Sequence, residues 1–325
     1  MTQTYFLGAN SKTGFASLYS AFPPVDGVFL HVIKGGPGTG KSSFMRRIGQ
    51  AAQERGMDVH FVLCSGDPDS LDGVYLPAMR AAWVDGTAPH VIEAAQFGVE
   101  SDYVNLGRFC RLPISVADAQ NISLINRKYK SLYGEAYRYL AAAAELEKAE
   151  KPNIPPDPDL MAEISSLLQS PAKPGRKSRR FLHALSCQGE IRLTEELEKL
   201  CKQIITVDSP AALACIQRRC QEEAILCPSP LDPEQLEAVL LPGRSLAFVD
   251  SGWLLPAWRS FAAAAPPTAA EAETRQLKER CFALAFDKLR RAKALHDELE
   301  TVYKSYMDFS ALTAYTDHLL SELFR

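Results

Sequence analysis

Short apolar runs alternate along the chain with longer stretches whose apolar residues recur at helical spacing. In the first half the apolar runs cover residues 28–33, 59–64 and 81–84; in the second half they cover 203–207, 224–227 and 246–249. Strands alternating with helical stretches predict β-α-β units and mostly parallel sheets. Two long stretches, 118–150 and 271–323, read as helical segments added after each group of strands, with packing as their predicted role. The run from Lys151 to Pro158 stops the first of them, because proline lacks an amide proton and disfavours helix in the residue before it.

The pattern also repeats residue by residue. Positions 67–85 align with 232–250 without a gap, and nine of the 19 pairs are identical, where average composition gives roughly one. Upstream, the stretch from Phe6 to Gly14 pairs in order with that from Phe181 to Gly189, and Cys64 pairs with Cys227 across a two-residue offset. Two copies at so long a period predict two related globular halves, 1–175 and 176–325, rather than a solenoid.

Composition narrows the class. A chain of 325 residues with 46% apolar and 23% charged residues has the length and the apolar content for two packed cores. A formal charge of -3 argues against a broad nucleic-acid surface. One basic cluster, Lys173, Arg176, Lys177, Arg179 and Arg180, sits among Pro171, Pro174 and Gly175 and reads as a solvated linker. The first residues show no basic and apolar leader, and no apolar run approaches a membrane span, which predicts a cytoplasmic protein without membrane contact. Eight cysteines without C-x-x-C spacing read as buried reduced thiols.

The chemistry is concentrated in Gly35-Gly36-Pro37-Gly38-Thr39-Gly40-Lys41-Ser42, followed by Ser43, which matches G-x-x-x-x-G-K-[ST] between an apolar strand and a helix. Glycines let successive amides converge on a phosphate, and the helix start adds unpaired amides and a positive dipole end. Lys41 is expected to reach the β- and γ-phosphates, while the Ser42 hydroxyl helps hold Mg²⁺. Asp85, closing an apolar strand, is the expected second Mg²⁺ anchor; a turn-initiating role before Gly86 is the alternative. Since Gly86 follows, the second acid that many ATP hydrolases place there is absent. Asp67, Asp69 and Asp72 lie in the loop expected after the second strand and are candidate bases, or else turn and cap residues. His90 could sense or protonate a phosphate, or serve structure alone. The guanine signature Asn-Lys-x-Asp is absent, so ATP is the expected nucleotide.

In the second half, residues 203–207 run straight into Asp208-Ser209-Pro210, without glycine loop or lysine. That half is expected not to bind a triphosphate by the same route, although it keeps Asp250, and to pack against the first as a pseudo-dimer partner. Arg179, Arg180, Arg218, Arg219 and Arg244 are its candidates for reaching the γ-phosphate. A further protein partner or a homodimer is compatible with this arrangement.

Taken together, the stretch from Gly8 to Phe15, Lys34 to Ser42, Cys64 to Gly73 and Asp85 to His90 resembles a family of uncharacterised bacterial predicted ATPases with two P-loop halves. The resemblance spans nearly the whole chain. It implies a tandem P-loop NTPase-like α/β fold with mostly parallel sheets, ATP binding and no established substrate. The second half departs from it where the family's other phosphate loop would stand. Three functions follow as expectations: a Mg²⁺-dependent ATPase driving a conformational step between the halves, a small-molecule kinase, or a non-catalytic nucleotide sensor.

Overall fold

The computed structural model describes residues 2–150, 158–168, 175–207, 210–253, 259–260 and 269–325. The proline stop at 151–157, Lys173 with Pro171 and Pro174, and Asp208 with Ser209 lie outside the described residues. The first half contains β1 (Gln3–Phe6), a hairpin of β2 (Gly8–Ser11) and β3 (Gly14–Ser17), β4 (Phe29–Lys34), α1 (Lys41–Gln53), β5 (His60–Leu63), β6 (Leu71–Leu76), β7 (Ala81–Asp85), β8 (Ser101–Asn105) and the 35-residue helix α2 (Val116–Glu150). There follow α3 (Pro158–Leu168), β9 (Lys177–Arg179), a hairpin of β10 (His183–Ser186) and β11 (Gly189–Arg192), α4 (Thr194–Leu200), β12 (Gln203–Val207), α5 (Pro210–Arg219), β13 (Ala224–Pro228), β14 (Leu236–Leu241), β15 (Leu246–Asp250), the two-residue β16 (Arg259–Ser260), the 36-residue α6 (Ala269–Lys304) and α7 (Phe309–Leu323).

The first sheet has the order β1-β5-β6-β7-β4-β8, and the second has β9-β13-β14-β15-β12, extended at its edge by β16. Strand for strand these are the same arrangement, as the internal repeat predicts. The sheets are mixed, however, and the expectation of mostly parallel sheets is corrected. β6 runs antiparallel to both β5 and β7, and β14 to both β13 and β15. The cause is local: a single 3-10 turn, Pro77–Met79 in one half and Pro242–Arg244 in the other, joins the reversed strand to the next. So short a connection makes a hairpin, never a parallel crossover. Each turn closes on a residue with positive φ, Arg80 at 49° and Ser245 at 54°. Asp72 accordingly lies in a buried strand, not in the loop expected at 65–72. The basic cluster is corrected in part as well, since Lys177 and Arg179 belong to edge strand β9 instead of a linker.

Burial explains how the layers stack. On α1, Phe44, Met45, Ile48 and Ala52 are buried at helical spacing and pack with Ile33, Val74, Leu76 and Trp83 of the first sheet. The opposite faces of the two sheets share one apolar cluster, in which Val32, Val62 and Val84 meet Ile225, Leu240 and Val249. All eight cysteines are free thiols; Cys187, Cys201, Cys220 and Cys227 are buried, and the other four are half-buried. No described helix is long and apolar enough to cross a membrane.

The halves are related by a local two-fold axis through equivalent residues. Phe6 and Phe181, both fully buried, exchange backbone hydrogen bonds of 2.9 and 2.9 Å. The Lys12 amide donates to the Leu231 carbonyl at 2.9 Å, and the equivalent Cys187 amide donates to the Gly66 carbonyl at 3.3 Å. Such reciprocity is the mark of an isologous interface. Helices α2 and α6 run antiparallel across it: Lys278 pairs with Glu150, Lys288 with Glu135 at 2.8 Å, and Leu299 packs on Ile122 and Ile125. The helical additions are therefore exchanged. Met161 and Ile164 of α3 enter the second half's core beside α5, while Leu312 of α7 enters the first half's core beside α1.

Truncating a fully buried ring at the axis tests this packing. Phe181→Ala is expected to lower unfolding stability by about 3–5 kcal/mol, measured by urea denaturation; a loss below about 1 kcal/mol would mean the axis contact does not hold the halves together.

Candidate phosphate-binding site

β4 and β7 are parallel neighbours in register, with Ile33 opposite Asp85, so the end of β7 is carried beside the glycine loop that follows β4. Loop ligands collect at this carboxyl edge of a sheet. Helix α1 starts at Lys41, and its N-cap is Gly40 at φ 86°. Gly38 has φ 69°, a region L side chains rarely adopt, and a Cβ there would lie 2.8 Å from the Glu300 carbonyl oxygen. Gly36 faces the Tyr303 ring, at 3.4 Å from where its Cβ would stand. The loop is thus pressed against the end of α6.

Lys41 turns its Nζ back onto the loop, donating to the Gly35 and Gly36 carbonyls at 2.9 Å each, and sits 3.6 Å from Asp85 Oδ2. Both side chains are largely buried, at 12% and 13% exposure. Asp85 Oδ1 accepts from the Thr87 amide and hydroxyl at 2.9 and 2.6 Å, which fixes the carboxylate while Oδ2 faces the ammonium. Ser42 Oγ accepts from the Leu71 amide at 2.9 Å and keeps a second lone pair. Thr39 Oγ1 donates to the Gly36 carbonyl at 2.8 Å and braces the loop. Pro37 is half-buried in the same loop, and Ser43 is exposed on the first turn of α1.

The remaining predicted carboxylates divide. Asp67 Oδ2 accepts from the Ser70 hydroxyl at 2.9 Å and lies 3.4 Å from Lys293 Nζ. Asp69 is exposed; its Oδ2 accepts from Gln188 Nε2 at 2.8 Å and its carbonyl from Arg46 at 2.6 Å. Asp72 is buried, accepting from the Tyr19 hydroxyl at 2.9 Å and standing 3.0 Å from His90 Nε2. Burial alone would lower the His90 pKa, but the Asp72 carboxylate outweighs it and holds the imidazole above its ordinary value.

The second half supplies residues that sequence reasoning missed. Lys293 of α6 pairs with Asp297 as well as Asp67; burial works against its charge, yet these two carboxylates keep its pKa above the ordinary lysine value. His296 stands 3.7 Å from Glu300 and packs on Tyr129 of α2, and burial lowers its pKa. The signal was present: Lys293, His296, Asp297 and Glu300 form a polar stripe at helical spacing. By contrast, the candidate arginines are engaged elsewhere. Arg179 donates to the Pro233 carbonyl, Arg180 stacks over Tyr5, Arg218 contacts Cys215, Arg219 bonds Ser165, and Arg244 pairs with Glu222.

In the second half, Pro210, Asp232, Glu237 and Asp250 line a cavity of about 50 Å³ near the start of α5. Glu147, Asp232, Glu237 and Asp250 outnumber Lys148 in its lining, which disfavours an anion. Among the described residues no three His, Cys, Asp or Glu side chains are grouped to hold a metal on their own. A Ser and an Asp beside a glycine loop are a donor set that fits Mg²⁺, which keeps several waters and takes few protein ligands. Comparisons with models of protein families, with curated proteins and with solved structures return no match for this chain.

The contact between loop and α6 has a direct test. Gly38→Ala strains its own backbone by about 1–3 kcal/mol and also sets a Cβ 2.8 Å from the Glu300 carbonyl oxygen, so α6 must yield and amide exchange in residues 296–304 is expected to accelerate. Unchanged protection there would show that the loop and the helix are not mechanically joined.

Proposed function

We propose that this chain is a P-loop ATPase that binds Mg²⁺-ATP in its first half and couples the nucleotide to a displacement of the exchanged helices. One observation carries the reading: a glycine loop with Lys41 and Ser42 at a strand-to-helix junction is seated against Glu300 and Tyr303 of α6, a helix that originates in the second half. Polyphosphate would draw Lys41 Nζ away from the Gly35 and Gly36 carbonyls, because phosphate oxygens offer it full negative charge where those carbonyls offer only dipoles. The chemistry magnesium would supply here is positive charge against the phosphates. Ser42 and Asp85 are the residues that would hold it, and Asp85 is already oriented by Thr87. Lys293 of α6 places a second ammonium near the same edge and gives the second half a charge with which to register the phosphates. The resemblance to tandem P-loop predicted ATPases points the same way.

Saturating Mg²⁺-ATP is expected to stabilise the fold by about 2.7 kcal/mol when free ligand is about a hundredfold above Kd, read as a shift in Tm, and Lys41→Ala to remove that shift. Equal shifts in parent and variant would refute the site. Asp85→Asn is expected to weaken the Mg²⁺ dependence of binding by about tenfold or more while leaving metal-free phosphate contact in place; titrations with and without Mg²⁺ would check it. Phosphate release without an added acceptor distinguishes an ATPase from a kinase.

A further inference from the structure

Gly86 stands where a second acid could have activated water, and the other predicted bases are held elsewhere: Asp67 by Ser70 and Lys293, Asp69 by Gln188. One buried dyad remains beside the site. His90 is 8% exposed and Asp72 4% exposed, and the Nε2–Oδ2 distance is 3.0 Å. A carboxylate only accepts, so the proton in this contact is on Nε2. The neutral ring then carries its lone pair on Nδ1. Among the described residues nothing hydrogen-bonds that nitrogen, although it is buried. The Tyr19 hydroxyl fixes Asp72 from the other side at 2.9 Å, and the Tyr19 and Phe15 rings flank the imidazole at 4.5 and 5.1 Å.

The dyad is bound to the phosphate site by chain connectivity as well as position. His90 ends the short turn that starts at Asp85, and its amide donates to the Thr87 carbonyl at 3.0 Å, Thr87 being the residue that orients Asp85. Asp72 lies next to Gly73, which pairs with Val84, the residue before Asp85. The charges of both Asp85 and Lys41 reach the imidazole. An acid–imidazole pair with its second nitrogen unpartnered is the arrangement by which proteins activate a hydroxyl or water.

We propose that His90, oriented by Asp72, is the general base that takes the proton from the water attacking the γ-phosphate. Resting on the Mg²⁺-ATP reading above, this assigns His90 as catalytic and Asp72 as a positioning residue. The water oxygen bonds to the γ-phosphorus as Nδ1 accepts its proton. The bond from phosphorus to the β–γ bridging oxygen breaks, its electron pair leaves with ADP, and the imidazolium returns the proton to solvent. The groups facing the ring are Asp72 from β6, Tyr19 from the turn before β4, and Asp85 and Lys41 from the phosphate site; of these Asp72 dominates in favour of the cation. The base works only when neutral, so its activity is gained as pH rises through a single ionisation above the ordinary histidine value.

Two measurements on the full chain decide the matter: binding of a non-hydrolysable ATP analogue with Mg²⁺ by calorimetry, and phosphate release at saturating Mg²⁺-ATP across pH 5 to 9. His90→Gln is expected to lower kcat by about 10²–10⁴-fold, with analogue Kd within about threefold of the parent and the acidic limb of the pH profile gone. Asp72→Asn, which keeps the imidazole, is expected to bind the analogue, lose kcat and move that limb to lower pH. Retained binding shows that each variant is folded. A His90→Gln protein that turns over within about threefold of the parent, a parent profile flat on its acid side, or a parent that binds the analogue without hydrolysing ATP overturns the dyad and leaves the binding site standing. A parent that binds no analogue overturns the site reading, and the dyad with it.

Discussion

Neither half can cover its own sheet. The face of the first sheet that carries α1 is completed by α7, which arrives from the end of the chain, and the face of the second sheet that carries α5 is completed by α3, which arrives from the first half. This exchange is the constraint on which the rest of the molecule depends. Burying those apolar faces is the dominant favourable term in folding, at about 25 cal/mol per Å². Each long helix must therefore cross the local axis to deliver its successor, and the two helices meet antiparallel on the way. The axis itself is held by backbone hydrogen bonds between Phe6 and Phe181, so sheet and helix layers obey one symmetry.

The symmetry is broken at the start of the helix that follows β4 in the first half and β12 in the second. The first half has a glycine loop, a buried lysine and an anchored aspartate, and the second has a proline-started helix beside an acidic cavity. Its other buried polar cluster differs too: Glu237, equivalent to Asp72, pairs with His183 at 3.0 Å and accepts from the Trp253 indole at 3.3 Å. The two halves keep Asp67/Asp232 and Asp85/Asp250 alike but surround them with different partners. Among the described residues, the glycine loop of the first half thus faces α6 without an equivalent loop in the second.

Much of this could be read from the residues themselves. The repeat of Asp67 to Asp85 in Asp232 to Asp250 marks two halves of one plan, and the loop from Gly35 to Ser42 marks a strand-to-helix junction, since local spacing encodes local geometry. The first reversed strand was hidden because Asp72 and Gly73 break the apolar run of β6, and polar residues next to a glycine read as loop. Nothing in a repeat says which copy's helix covers which sheet, so the exchange was not legible either. For the same reason Lys293 and His296, some 250 positions after the loop, could not be joined to it before the antiparallel pairing of α2 and α6 was known. His90 and Asp72 were visible as residues, but only the fold of β6 brings the second against the first.

Helix α6 has 36 residues, which at about 1.5 Å per residue makes a rod of about 54 Å. Its tip rests on the glycine loop and its shaft lies along α2. A tilt of about 5° at the tip carries the far end about 5 Å, roughly one helical turn. Were α6 to pivot as a rigid rod, a small shift beneath Tyr303 would be magnified at its opposite end, where Lys278 pairs with Glu150.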